Sequence, residues 1–197
     1  MNLGFSEEQE ELRRSVRRFL EDKSPSAAVR RLMETTDGYD TAVWSQMAEQ
    51  LGLQGLAIPE AYGGSGFSYV ELVVVLEEMG RSLLCAPYFA TVALAANALL
   101  TSGDDGAKKE LLPGIASGAT IATLAITEDS GRWDLEGIQL AAKKGDDGYT
   151  LDGRKMFVID GATANLIIVA ARTDKGVSLF AVDGDASGIT RTSLQTM

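Results

Sequence analysis

The apolar residues of this chain change period once, between Ser117 and Thr120, and that change excludes most single-layer architectures. Upstream they recur at helical spacing; downstream they fall into short β-rich runs separated by turn formers. A helix-period pattern does not settle as a strand, nor the reverse. The chain therefore reads as α+β: an N-terminal all-α helical domain over 1–117, then an antiparallel β-barrel or sandwich domain over 118–197. The second is expected to be incomplete, because SGITRTSLQTM reads as the opening of a further strand and only five or six strands are available.

In the helical part, Ser6 with Gln9 predicts a capping box ahead of Leu12, Val16, Phe19 and Leu20, which share one face. Trp44, Met47 and Leu51 form a second stripe that Gly52 stops. The glycine-rich IPEAYGGSGFS follows, and Ser68 with Glu71 caps a helix carrying Leu72, Val75, Leu76 and Met79, ended by Gly80. Tyr88 to Leu100 is nearly all apolar, so a helix buried on several sides is expected. A short helix from about Asp105 to Leu112 should be closed by Pro113. The strand candidates are TIATLAIT, IQLAAK, YTLDGRKMFVID, NLIIVAART and VSLFAVD, with KKGDDG, DGA and DGDASG as turns.

Composition narrows the chemistry. With 45% hydrophobic and 23% charged residues in 197, the chain can bury a core. No run approaches a membrane-spanning length and the acidic opening MNLGFSEEQEE does not read as a signal peptide, so a cytoplasmic protein without membrane attachment is the expectation. A net charge of −10 argues against nucleic acid. Cys85 is the single cysteine, set among apolar neighbours, and there is no histidine. An internal disulfide, a thiolate zinc cluster and histidine-based catalysis are thereby excluded, and no metal site is expected.

Three segments bear on function. PEAYGGSGFS is not a dinucleotide fingerprint; its glycines read as a turn feeding a capped helix. ITEDSGRWD runs from a strand into a turn, where the Thr127 hydroxyl, nearby amides and the Arg132 cation can meet a planar heterocycle or a phosphate, although an ordinary surface turn has the same composition. Phe157, in RKMFVIDG, is either a flat wall for an aromatic ligand or core. Glu77 and Glu78 are adjacent carboxylates that point to different sides of a helix.

Taken in order, FSEEQEELRRSVRRFLED, PEAYGGSG, EEMGR, ITE, DGRKMFVIDG and ANLIIVAAR resemble the acyl-CoA dehydrogenase family along the whole chain. The resemblance implies the family's helical first domain and most of its middle β domain, with the C-terminal helical domain missing. It further implies FAD as cofactor, α,β-dehydrogenation of an acyl-CoA thioester, electron-transfer flavoprotein as acceptor, and a homo- or hetero-oligomer of family members. The family's base usually lies in the third domain, so no catalytic residue is named here, and the isolated chain is expected to be inactive.

By the same resemblance, the cofactor positions are Leu124, Ile126, Thr127, Phe157 and Ile159, and the substrate positions are Trp133, Arg132 and Tyr88. Phe89 and Ala95 are further candidates to line the acyl pocket. Two departures stand out. The family's T-E-P-x-A-G-S-D run reads Thr127, Glu128, Asp129, Ser130, Gly131, Arg132, Trp133, Asp134, placing Arg132 and Trp133 where small residues let ligands approach. Ile159 stands where a hydroxyl commonly meets flavin N5. These departures leave room for a second reading, a partner subunit whose homologous mate supplies FAD and base.

Overall fold

In the computed structural model, which describes residues 4–146 and 148–194, the expected capping box opens the first helix. Ser6 accepts from the Gln9 amide and the Gln9 side chain accepts from the Ser6 amide, starting α1, Glu7–Lys23. Next come α2, Ser26–Met33, and α3, Thr41–Glu49, whose Asp40 cap takes the amides of Ala42 and Val43. Ser68 and Glu71 form a second box ahead of α4, Tyr69–Arg81. Val16 and Leu20 of α1, Trp44 and Met47 of α3, and Leu72, Val75 and Met79 of α4 bury together in one core cluster.

The glycines of PEAYGGSGFS serve the turn. Gly63 has φ +83, and a Cβ on Gly64 would run into the Ile58 carbonyl, so this backbone folds directly onto residues 55–58. Their space is filled by the chain itself, as the turn reading of this segment requires.

Tyr88 to Leu100 is helical with an altered winding: Phe89–Ala96 is π-helical and runs into α5, Asn97–Thr101. The last helix, α6, Asp105–Ala116, corrects the expectation for Pro113, which lies inside it. Leu112, Ile115 and Ala116 are buried against the Ala95–Leu99 segment, and this packing carries the helix past a residue that costs it one hydrogen bond.

Five strands follow: β1, Ala122–Ala125; β2, Ala141–Gly145; β3, Gly148–Asp152; β4, Leu166–Thr173; and β5, Gly176–Asp183. Their arrangement corrects the antiparallel expectation. β1 and one bridge of β2 pair parallel to β4, while β2–β3 and β4–β5 are antiparallel hairpins, giving one mixed sheet. The physical reason is connection length. Only the short turns between β2 and β3 and between β4 and β5 make hairpins, whereas long crossovers free β1 to lie parallel to β4. β1 is buried along most of its length, and Thr91 of the π-helical segment bonds the Ala122 amide and carbonyl through its hydroxyl, covering that strand's outer edge.

Two further expectations are corrected. KMFVID is not a strand, because Phe157 and Asp160 take φ +54 and +53 and break the extended run. Nor do residues 184–194 open another strand: Arg191 turns back to the carbonyls of Ala162, Ala164 and Gly184. Asp147 of the KKGDDG turn and residues 195–197 lie outside the described residues.

Candidate functional site

Where β1 ends, the chain is clamped to the segment after β3. The Met156 amide donates to the Thr127 carbonyl at 2.8 Å. Beside it, the Lys155 ammonium lies 3.0 Å from the Ile126 carbonyl and 2.7 Å from Glu128. Glu128 also accepts the amides of Gln139 and Leu140, so one carboxylate ties three segments together. Burial works to raise its pKa, but Lys155 and the two amides outweigh that and hold it below the usual range. Its charge is committed to the scaffold.

The clamp presents an apolar surface. Phe157 is 64% exposed in a left-handed conformation that a phenylalanine rarely adopts, and Ile159 is 47% exposed. Buried Thr123 of β1 donates its hydroxyl to the Ile159 carbonyl at 2.6 Å, so the turn is anchored from beneath. The 156–159 segment thus runs alongside β1, with Met156 bonded to Thr127 just past its end and Ile159 to Thr123 near its start. Leu124 and Ile126, on β1 and just past it, are half-buried.

The three substrate positions are scattered. Trp133 is 88% exposed. Arg132 is spent locally, 2.8 Å from both Asp134 and Glu136, and its side chain occupies the space a Cβ would need at Gly137. Tyr88 lies in the helical core: it is 2% exposed and its hydroxyl donates to the Leu53 carbonyl at 2.8 Å. Its neighbour Phe89 faces outward. Next to the clamp, a cavity of about 330 Å³ opens between Glu128, Ser130, Gln139 and Arg154; Phe157, Ile159 and Trp133 do not line it.

Sequence reasoning missed two features. The Lys155–Glu128 clamp joins residues 27 apart with no local signal. The other is Glu78, 1% exposed and ringed by Arg13, Arg17 and Arg81. A hint lay in the four-residue spacing of Arg13 and Arg17 on one face of α1. Glu77, by contrast, is half-exposed and paired with Arg13.

Family models decide what this arrangement belongs to. The acyl-CoA dehydrogenase N-terminal domain matches residues 6–119, and the acyl-CoA dehydrogenase middle domain matches 123–197. The chain belongs to the acyl-CoA dehydrogenase family. It is 34% identical over 196 residues to the mitochondrial isovaleryl-CoA dehydrogenase of Pongo abelii, a match covering 94% of the chain and 46% of that relative. Among solved structures, the ChsE4-ChsE5 complex from Mycobacterium tuberculosis superposes with a TM-score of 0.87 at 28% identity, covering 98% of this chain and 52% of that one. A second, the Tcur3481-Tcur3483 steroid ACAD, gives 0.83 at 31% identity over 100% of this chain and 53% of its own. The chain spans about half the length of the relatives it matches.

Proposed function

We propose that this acyl-CoA dehydrogenase chain supplies part of an FAD site for α,β-dehydrogenation of an acyl-CoA thioester. The observation that carries this reading is the exposed, left-handed Phe157, pinned through Met156 to Thr127. A large aromatic held in the open at a conformational cost of about 1–3 kcal/mol suits a surface that a flat ligand covers. The residues fit the apolar ring end of FAD: Phe157 and Ile159 offer faces, and Thr127 a hydroxyl with no hydrogen-bond partner among the described residues. Leu124 and Ile126 shape the floor on this reading.

When bound, FAD supplies the acceptor for the hydride leaving the substrate's β carbon. The chain's own contribution is to bind and orient: the Lys155–Glu128 clamp fixes the loop, and Phe157 keeps water from one face. Abstraction of the α proton needs a base, and we assign none here. We also propose 1–117 and 118–197 as its two domains, with electron-transfer flavoprotein as the electron acceptor.

A second reading is favoured by Trp133 and Ile159: a subunit of a heteromeric enzyme, in which a homologous mate brings most of the flavin contacts and the base. Trp133, solvent-exposed in this chain, would then bury itself in the mate or in the acyl channel. The visible absorbance spectrum of the purified protein, taken after adding FAD and desalting, tests the first reading. A retained flavin band supports it. A colourless folded sample that acquires the band only when co-purified with a homologous chain supports the second.

A further inference from the structure

Among the described residues the sheet ends at β5 with an open edge. β5 pairs with β4 along its whole length, Gly176 to Asp183, without a bulge, and no other strand pairs with its far side. Two features fix which of its backbone groups face outward. The hairpin closes on Thr173 and Gly176, and the Gly184 amide donates to the Asn165 carbonyl, so the even-numbered residues bond β4. The amides and carbonyls of Val177, Leu179 and Ala181 therefore point away from the sheet, with no partner among the described residues.

Proteins blunt such an edge with a short strand, a proline, a bulge or an inward-pointing charge. β3, whose far edge is also open, is five residues long. β5 runs for eight, and its one charge, Asp183, stands at its last position. The side chains of Val177, Leu179 and Ala181 alternate onto one face, where Leu179 is 44% exposed and Ala181 is exposed as well. Exposed Lys175, in the turn, and exposed Asp183 flank this apolar stripe with opposite charges. The Lys175 ammonium meets no carboxylate among the described residues, and the Asp183 carboxylate accepts only the Asp185 amide.

We propose that the β5 edge pairs with the β5 edge of a second copy of this chain, antiparallel about a two-fold axis at Leu179. Outward-facing groups bond only one another, which limits the registers to those that match odd positions with odd ones. Of these, the register centred on Leu179 sets Leu179 against its own copy, Val177 against Ala181, and Lys175 against Asp183, each twofold-related pair occurring twice. The stripe is thus self-complementary in charge and in apolar character. Moving the register to either side sets Asp183 against Thr173 or Val177 and loses that match. The pairing joins two sheets edge to edge and gives the bare backbone groups the partners they lack.

Analytical ultracentrifugation of the full chain from about 1 to about 200 μM tests this. The wild type should shift from monomer to dimer as concentration rises. Leu179→Pro removes an outward amide while sparing the bonds to β4, and it should leave a monomer with the circular dichroism of the wild type. Lys175→Glu, a change in an exposed turn, sets like charges face to face at both ends and should weaken the dimer about tenfold. Reversing both charges, Lys175→Glu with Asp183→Lys, should restore it. A wild type that stays monomeric throughout overturns the proposal. A dimer that survives Leu179→Pro overturns it too, since the contact would then lie elsewhere, and a Lys175→Glu dimer as tight as the wild type overturns the register.

Discussion

Glu78 shows how much a single side chain can hold. It is buried at the α1–α4 contact, where Arg17 reaches it at 2.6 and 2.9 Å and Arg81 at 3.1 Å, with Arg13 farther off at 3.4 Å. The bonds from Arg17, working against burial, hold its carboxyl at about 2 instead of the ordinary 4.5. A depressed carboxylate contributes stability above its unfolded pKa and loses it as pH falls through the folded one. Glu78→Gln should therefore cost about 3 kcal/mol at neutral pH, with the penalty shrinking as pH drops from 4.5 toward 2. Urea unfolding of both proteins across that range checks it; an undiminished penalty in acid would assign the effect to packing. Phe157 has the opposite character, since its exposed ring and left-handed backbone work against the free fold; on the proposed flavin reading an occupant of its surface would give it a partner.

At the level of elements, both capping boxes were readable because each is local, Ser6 with Gln9 and Ser68 with Glu71. The helix through Pro113 was not, since the buried contacts of Leu112 and Ile115 that override the proline are nonlocal. The site divides the same way. Thr127 and Phe157 stood out by residue type and resemblance, yet nothing in the sequence placed Tyr88 in the core or tied Glu128 to Lys155. Strand direction was equally hidden, because parallel and antiparallel partners present the same apolar runs. That clamp yields an element-scale prediction. Lys155→Met leaves Glu128 part-buried without its cation, so the Gln139 and Leu140 amides that bond it should exchange hydrogen faster while those of α1 keep their protection. Unchanged exchange at Gln139 and Leu140 would show that the loop is held by its backbone bonds alone.

Across the whole molecule, the helical part and the sheet share a core cluster, in which Leu99, Leu112 and Ile115 meet Ala122, Leu166 and Ile168. No helix among the described residues is long and apolar enough to cross a membrane. The parallel β1–β4 pair bears on how such a chain is made. Ile121 bonds the Asn165 side chain across 44 residues, so β1 leaves the ribosome well before the strand it must join. During that interval the helical part is available to shield it, Thr91 of the π-helical segment bonding Ala122 while Leu99, Leu112 and Ile115 pack against it. Synthesis thus imposes an order in which the helices shelter a waiting strand. Nascent chains stalled before β4 emerges should resist protease through α4 and be cut near β1 once Thr91→Val removes that bond, whereas equal resistance in both would show that the packing alone guards the strand.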